Sequence, residues 1–156
     1  MKKIMFFLLA ALCLTTACSK YDNIVYENIA ATLYFSQSGM VEVTDTDAEI
    51  SLCVVKGGNA SYDVDVCVGV ATQALVSHNI ASGDNFQLLP ELCYALSATK
   101  STLSAEQYLA YFTLTFDAEQ LNLLPKGKYA LPIGITSDNA YIGSTNGSIV
   151  YCFDIK

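Results

Sequence analysis

Six cysteines, one histidine and a short run of alternating acids are the groups in this chain with obvious chemical capacity. Zinc needs several Cys or His ligands at close spacing. Here His78 stands alone and there is no Cys-x-x-Cys, so no metal site is expected. A nucleophile–base–acid set would have to use His78, and its neighbour Ser77 cannot face it productively. Glycoside hydrolysis needs two carboxylates at a fixed separation, and no pair among the many acids stands apart. Gly57-Gly58 lacks the Lys-Ser/Thr of a phosphate loop and reads as a hairpin turn. Asp45, Asp47 and Glu49 could offer oxygens to calcium, but Lys56 occupies the position where a calcium loop places its last acid. They read as a solvated loop. No catalytic residues, no cofactor and no enzyme activity are expected.

Cys18 has a more telling context. Met1-Lys2-Lys3 is followed by an uncharged run from Ile4 to Leu14 and then by Thr15-Thr16-Ala17. A positive start, a short apolar stretch and small residues before a cut form the plan of a secretory signal peptide. The run is shorter than the roughly 20 residues of a membrane-crossing helix. Ala17-Cys18 resembles the junction of bacterial lipoproteins, with Thr15 in place of the usual Leu three residues before the cysteine. The resemblance implies cleavage after residue 17 and a lipid on Cys18, and so a lipoprotein of the cell envelope, held at a membrane without spanning it. Residues 1–17 are then a leader and residues 18–28 a lipidated tether. Each buried acyl methylene contributes about 0.8 kcal/mol, so several chains hold a protein firmly at a membrane.

Composition narrows the partners. The chain carries 8 Lys and no Arg against 15 acids, a net charge of −7. Nucleic acid is excluded as a partner, since phosphate contacts call for Lys and Arg. Ten Tyr and no Trp are present. Four cysteines lie beyond the anchor: Cys53, Cys67, Cys93 and Cys152. An exported chain meets oxidising conditions, and four thiols allow three pairings. If residues 47–56 and 62–71 form a hairpin turning near Ala60, Cys53 and Cys67 are opposite each other and a cross-strand disulfide is a geometric option. The other reading is two small thiols on a covered face. A Cys93–Cys152 pair is the remaining option.

The elements that position these groups follow from a period of two. Ile29, Ala31, Leu33 and Phe35 alternate with smaller or polar residues. So do Ile50, Leu52 and Val54; Val64, Val66, Val68 and Val70; Phe112, Leu114 and Phe116; Tyr129, Leu131, Ile133 and Ile135; and Ile149, Tyr151, Phe153 and Ile155. Such alternation places one face of each strand on a core. Turn signals at Gly57-Gly58-Asn59, Ser82-Gly83-Asp84-Asn85, Pro125-Lys126-Gly127 and Asn146-Gly147 separate the runs, and Asn146-Gly147 is the strongest tight-turn pair. Pro132 inside a strand pattern predicts an edge or a bulge. Short helical turns are expected at 73–78, capped by Thr72, and at 118–123, capped by Asp117. Ser104 to Gln107 fits a capping box but leaves room for one turn at most. The expected fold is all-β: residues 29–156 as one antiparallel immunoglobulin-like sandwich of about seven strands.

The stretch from His78-Asn79 through Gly83 to Leu88-Leu89-Pro90 and Tyr94 resembles a signature of the form YN…G…Y-x-LLP-x-x-Y. Leu33-Tyr34-Phe35 and the run Gly127-Lys128-Tyr129-Ala130-Leu131-Pro132 match its flanking strands. The signature belongs to an N-terminal immunoglobulin-like domain of unknown function in Bacteroidetes-type cell-surface lipoproteins. The resemblance implies an outer-membrane module that accompanies polysaccharide uptake and is often followed by a sugar-binding domain. The function expected is a non-catalytic, lipid-anchored spacer, scaffold or weak glycan binder, with the membrane, glycans or other envelope proteins as partners. The alternative is an adhesion or pilus-type lipoprotein pairing through an edge strand. The motif residues themselves read as structural. Leu88-Leu89-Pro90 would plug the sandwich and keep the chain from turning helical there. Tyr94 and Tyr129 would be half-buried with satisfied hydroxyls. No binding residue is picked out.

Overall fold

A computed structural model of the chain describes residues 29–45, 47 and 49–156. The expected leader, the tether and Cys18 lie outside the described residues. In chain order the elements are β1 (Thr32–Phe35), β2 (Gly39–Glu42), β3 (Ile50–Gly57), β4 (Val64–Val70), α1 (Thr72–Ser82) and β5 (Gln87–Leu88). A 3-10 turn (Glu91–Cys93) follows, then β6 (Tyr94–Leu96), β7 (Lys100–Leu103), β8 (Leu109–Phe116), α2 (Ala118–Asn122), β9 (Gly127–Thr136), β10 (Tyr141–Ile142) and β11 (Ser148–Ile155). The first sheet runs β10-β1-β3-β8-β6 and the second runs β2-β11-β9-β4-β7, with β5 also alongside β9. The result is an all-β sandwich of immunoglobulin type.

The strand count exceeds the expected seven because three runs break as they change sheet. β1 and β2, β6 and β7, and β10 and β11 each divide one run between the two sheets. The pairing is largely antiparallel. The exceptions are β1 with β10, β2 with β11 and β5 with β9, which run parallel.

The alternation read from the sequence sorts the core. Leu33, Phe35, Leu52, Val54, Phe112, Leu114 and Phe116 from the first sheet meet Val64, Val66, Val68, Leu131, Ile133, Ile149, Tyr151 and Phe153 from the second. Phe116 lies edge-on to Phe153, with ring centroids 4.9 Å apart. Ile29 is outside this core, half-exposed where the chain approaches β1. The outer face of the second sheet is also covered. Leu75 of α1 packs there on Ala130, Val150 and Cys152, so β9 is buried on both faces from Tyr129 to Ile135.

Four local expectations need correction. Pro132 is at neither an edge nor a bulge: β9 is central, between β11 on one side and β4 and β5 on the other. Its ring nitrogen faces the point where β4 has left the sheet and β5 has just ended. The Pro132 carbonyl on that side takes the Ala71 N–H at 2.9 Å, and no ladder donor is required from Pro132 itself. Gly57-Gly58 makes no hairpin, because β3 and β4 lie in opposite sheets. Gly58 instead adopts φ +88° with the Ala30 carbonyl oxygen 2.7 Å from where a Cβ would sit. Asn146-Gly147 likewise joins strands of different sheets, its carbonyls taking the N–H groups of Phe35 and Ile135. The first helix is longer than expected and is not capped by Thr72. Ala71 precedes it without a side-chain cap, and Gly83 closes it in the left-handed conformation at φ 74°. Asp117 caps α2 as expected, accepting from the Gln120 N–H at 3.0 Å.

The register gives the sandwich two distinct ends. Residues 29–31, the loops 58–63 and 137–140 and the turn 104–108 cluster at one end, here the lead end: the Asn59 N–H donates to the Ile29 carbonyl and the Tyr141 N–H to that of Ala31. β11 runs away from it, so that Ile155 lies opposite Gly127 at the far end. At about 3.3 Å per residue the ten residues of β9 set the two ends roughly 30 Å apart.

Candidate functional site

The signature residues gather at the far end, and each has a structural task. Asn79 clasps the loop after α1: its Nδ2 donates to the Phe86 carbonyl at 2.9 Å and its Oδ1 accepts the Phe86 N–H at 3.2 Å. Leu89 is fully buried in the core, and its N–H donates to the Ala130 carbonyl beside β9. Leu88 points outward, so a single leucine of the pair plugs the sandwich. Pro90 is extended and directly precedes the 3-10 turn, so the proline caps a helical turn instead of preventing one. Tyr129 donates its hydroxyl to the Pro125 carbonyl four residues back, at 3.0 Å. This is the tyrosine corner that pins the turn before the sixth strand of immunoglobulin-like sandwiches. Tyr129 is more deeply buried than expected; Tyr94 is half-buried, its phenol pushed up by burial first and by Glu91 second.

His78 belongs to a surface group at the same end. Its Nε2 is 3.7 Å from Asp84 Oδ2, and Lys128 Nζ is 3.3 Å from Asp84 Oδ1. The Ser82 hydroxyl, then Lys128 and His78, hold the Asp84 carboxyl below its ordinary value. His78 also lies against the Phe86 ring, so the group secures the α1 loop. In the early acidic loop the Asp47 N–H donates to Asp45 Oδ1 at 3.0 Å.

The four cysteines are free thiols. The expected hairpin between Cys53 and Cys67 does not form. Cys53 lies opposite Tyr111 in the first sheet and Cys67 opposite Thr136 in the second. Both side chains face outward, so they point away from each other across two layers about 10 Å apart. Disulfide geometry requires Cα atoms within about 7 Å. Cys93 lies inside the core and Cys152 outside it under α1. Burial pushes the Cys152 thiol up to about 11, which leaves it protonated and unreactive at neutral pH.

The lead end holds what the sequence did not single out. Asn139 ties two loops together. Its Nδ2 donates to the Asp63 carbonyl at 2.9 Å, its Oδ1 accepts from the Asp65 N–H at 3.1 Å and the Ser137 hydroxyl at 3.2 Å, and its carbonyl accepts the Tyr62 hydroxyl at 3.2 Å. Beside this hub is a cleft of about 320 Å³ lined by Ala30, Tyr62, Asp138, Asn139, Ala140 and Tyr141. Tyr62 is 41% and Tyr141 69% exposed. A neighbouring turn is fixed by Lys56, only 2% exposed, whose Nζ donates to the carbonyls of Ser104 at 2.6 Å and Ala105 at 2.9 Å. A wider hollow at the far end, about 560 Å³, includes Leu92, Tyr94, Asp117 and Glu119. Asp117 is already committed there as a helix cap, and the lead-end cleft differs in presenting two exposed tyrosine rings.

Fold and site together define an immunoglobulin-like sandwich with a small aromatic cleft among its loops. A family model described as "-like, N-terminal domain" matches residues 21–142. The chain belongs to that family. No curated protein matches. Among solved structures, a candidate carbohydrate-binding protein from Bacteroides ovatus is 24% identical with a TM-score of 0.63, over 80% of this chain and 37% of its own. A two-domain protein of unknown function from Bacteroides fragilis is 15% identical with a TM-score of 0.63, over 88% and 50%. EndoBT-3987 from Bacteroides thetaiotamicron, solved with a Man5GlcNAc product, is 18% identical with a TM-score of 0.57, over 79% and 30%. The likeness to these structures is one of fold. The chain spans half or less of the length of each of these three proteins.

Proposed function

We propose that this protein is a non-catalytic, lipid-anchored module of the cell envelope that acts as a spacer or scaffold in glycan handling, with weak glycan contact of its own. The observation that carries this reading is that the chain enters and leaves the sandwich at opposite ends. Residues 29–31 join the sandwich at one end and Ile155 leaves it at the other. A module held through Cys18 therefore carries whatever lies beyond its far end roughly 30 Å outward. Its likeness in fold to a candidate carbohydrate-binding protein from Bacteroides ovatus favours the glycan context. The signature residues, whose bonds all serve the fold, favour a scaffold over an enzyme.

The reading through an edge strand has less support. β11 is flanked by β2 and β9, and the edge strands among the described residues are two to four residues long. Short edges discourage strand addition.

Labelling with radioactive palmitate tests the anchor. The full chain is expected to take up label and to sediment with membranes, and Cys18→Ala is expected to lose both. An unlabelled wild-type protein in the soluble fraction would overturn the proposal.

A further inference from the structure

We propose that the lead-end cleft binds one ring of a neutral glycan, with Tyr62 and Tyr141 as its aromatic walls and Asp138 as the acceptor for sugar hydroxyls. This deepens the weak glycan contact of the preceding reading and rests on it. A pyranose presents an apolar C–H face and a rim of hydroxyls. Its recognition calls for an aromatic surface and a polar group at its margin. The cleft supplies both. Its volume of about 320 Å³ is at the lower end of small-ligand pockets, near 300 Å³, which suits a single ring better than a long chain.

The Tyr62 ring and the backbone of Tyr141 are fixed before any ligand arrives. The Tyr62 hydroxyl is held by the Asn139 carbonyl. The backbone of Tyr141 is held by Ala31 at 2.8 Å. Asn139 uses its side chain to fix both loops and has little left for a ligand. Asp138, beside it, is exposed and makes no hydrogen bond or ion pair among the described residues. A carboxylate accepting from hydroxyls forms stronger bonds than a neutral acceptor does, and fixing the Tyr62 ring and the Tyr141 backbone in advance lowers the ordering cost of binding.

Charge selects the class of sugar. Asp63, Asp65 and Asp138 stand at this end, and no lysine lines the cleft. A uronate, sulfate or phosphate on the ligand would meet these carboxylates without a compensating cation. The same acids oppose docking of this end on an anionic bilayer, although exposed tyrosines near a lipidated tether would otherwise suit a membrane interface. The charge pattern therefore favours a neutral sugar over a lipid surface.

Saturation-transfer NMR on the full chain in detergent micelles tests the proposal, with cellohexaose and mannopentaose as neutral probes and hexagalacturonate as the acidic one. Transfer to at least one neutral probe and none to hexagalacturonate is expected. Tyr141→Ala and Asp138→Asn, both at exposed positions, are each expected to weaken binding by roughly tenfold with an unchanged melting temperature. No transfer to either neutral probe, equal transfer to the acidic probe, or binding unchanged in both variants would overturn it. So would Tyr141-dependent sedimentation with phosphatidylglycerol-containing vesicles in the absence of sugar binding. Any of these failures leaves palmitate labelling at Cys18 unaffected, so failure of the cleft and failure of the anchor are separable.

Discussion

The two ends of the sandwich solve the same problem with different materials. At the far end the loops are fastened by residues of the family signature: Asn79 grips Phe86, Leu89 fills the core and Tyr129 reaches back to Pro125. At the lead end the fastening falls to Asn139 and Lys56, which lie outside that signature. The far end buries Leu89 and Tyr129 and half-buries Asn79, whereas the lead end buries Lys56 but leaves Asn139, two tyrosine rings and a carboxylate exposed. The difference teaches that a recognisable motif can report how a chain closes on itself, while the surface available to a ligand lies where the motif is silent.

Substitutions that load the two ends unequally sharpen this contrast. Leu89→Ala should have the largest effect, about 2–5 kcal/mol of stability, because it leaves a cavity in a closed core. Urea denaturation measures it, and a loss under about 1 kcal/mol would show that the far end is not the structural one. Asn79→Ala should follow at about 1–3 kcal/mol, since it strands a part-buried N–H and carbonyl of Phe86; thermal melting reads this directly. Asn139→Ala should cost about 1 kcal/mol or less, because water can replace its exposed bonds, yet hydrogen exchange should speed up at Asp65 and its neighbours. A loss matching that of Leu89→Ala would erase the distinction between the ends. The smallest effect concerns Asp84, whose carboxyl is held below its ordinary value of 3.8 by Ser82, Lys128 and His78. A lowered pKa means stability that is present above that value and is lost as pH falls below it. Asp84→Asn should therefore flatten the acid side of the stability profile, and an unchanged profile would remove the surface group from the account.

Much of the scaffold is legible in the sequence, because a half-buried strand must alternate. β3, β4, β8, β9 and β11 are readable from Val, Leu, Ile and Phe at every second position, and their inward residues are those the pattern names save Val70, which is exposed at the end of β4. Pairing is less legible. Gly57-Gly58 and Asn146-Gly147 look like hairpin turns, yet both carry the chain between sheets, and nothing local distinguishes an arch from a hairpin. That ambiguity is what placed Cys53 opposite Cys67. Pro132 misleads for a related reason: the rule against central prolines assumes a continuous neighbour, and here two strands share one side of β9. The extent of α1 is hidden because its burial rests on one residue, Leu75, under a weakly amphipathic stretch. The cleft is the least legible feature. Tyr62 lies on the loop before β4 and Tyr141 opens β10, so the two meet only as the first and second sheets close on each other, and no periodicity or spacing links them.

The brevity of the edge strands has a consequence for crowding. With edge strands of only two to four residues among the described residues, a neighbour finds few donors and acceptors in line from which to extend either sheet. Copies held side by side at high local density would therefore remain individual particles, and dense populations of the protein could form without growing into fibres.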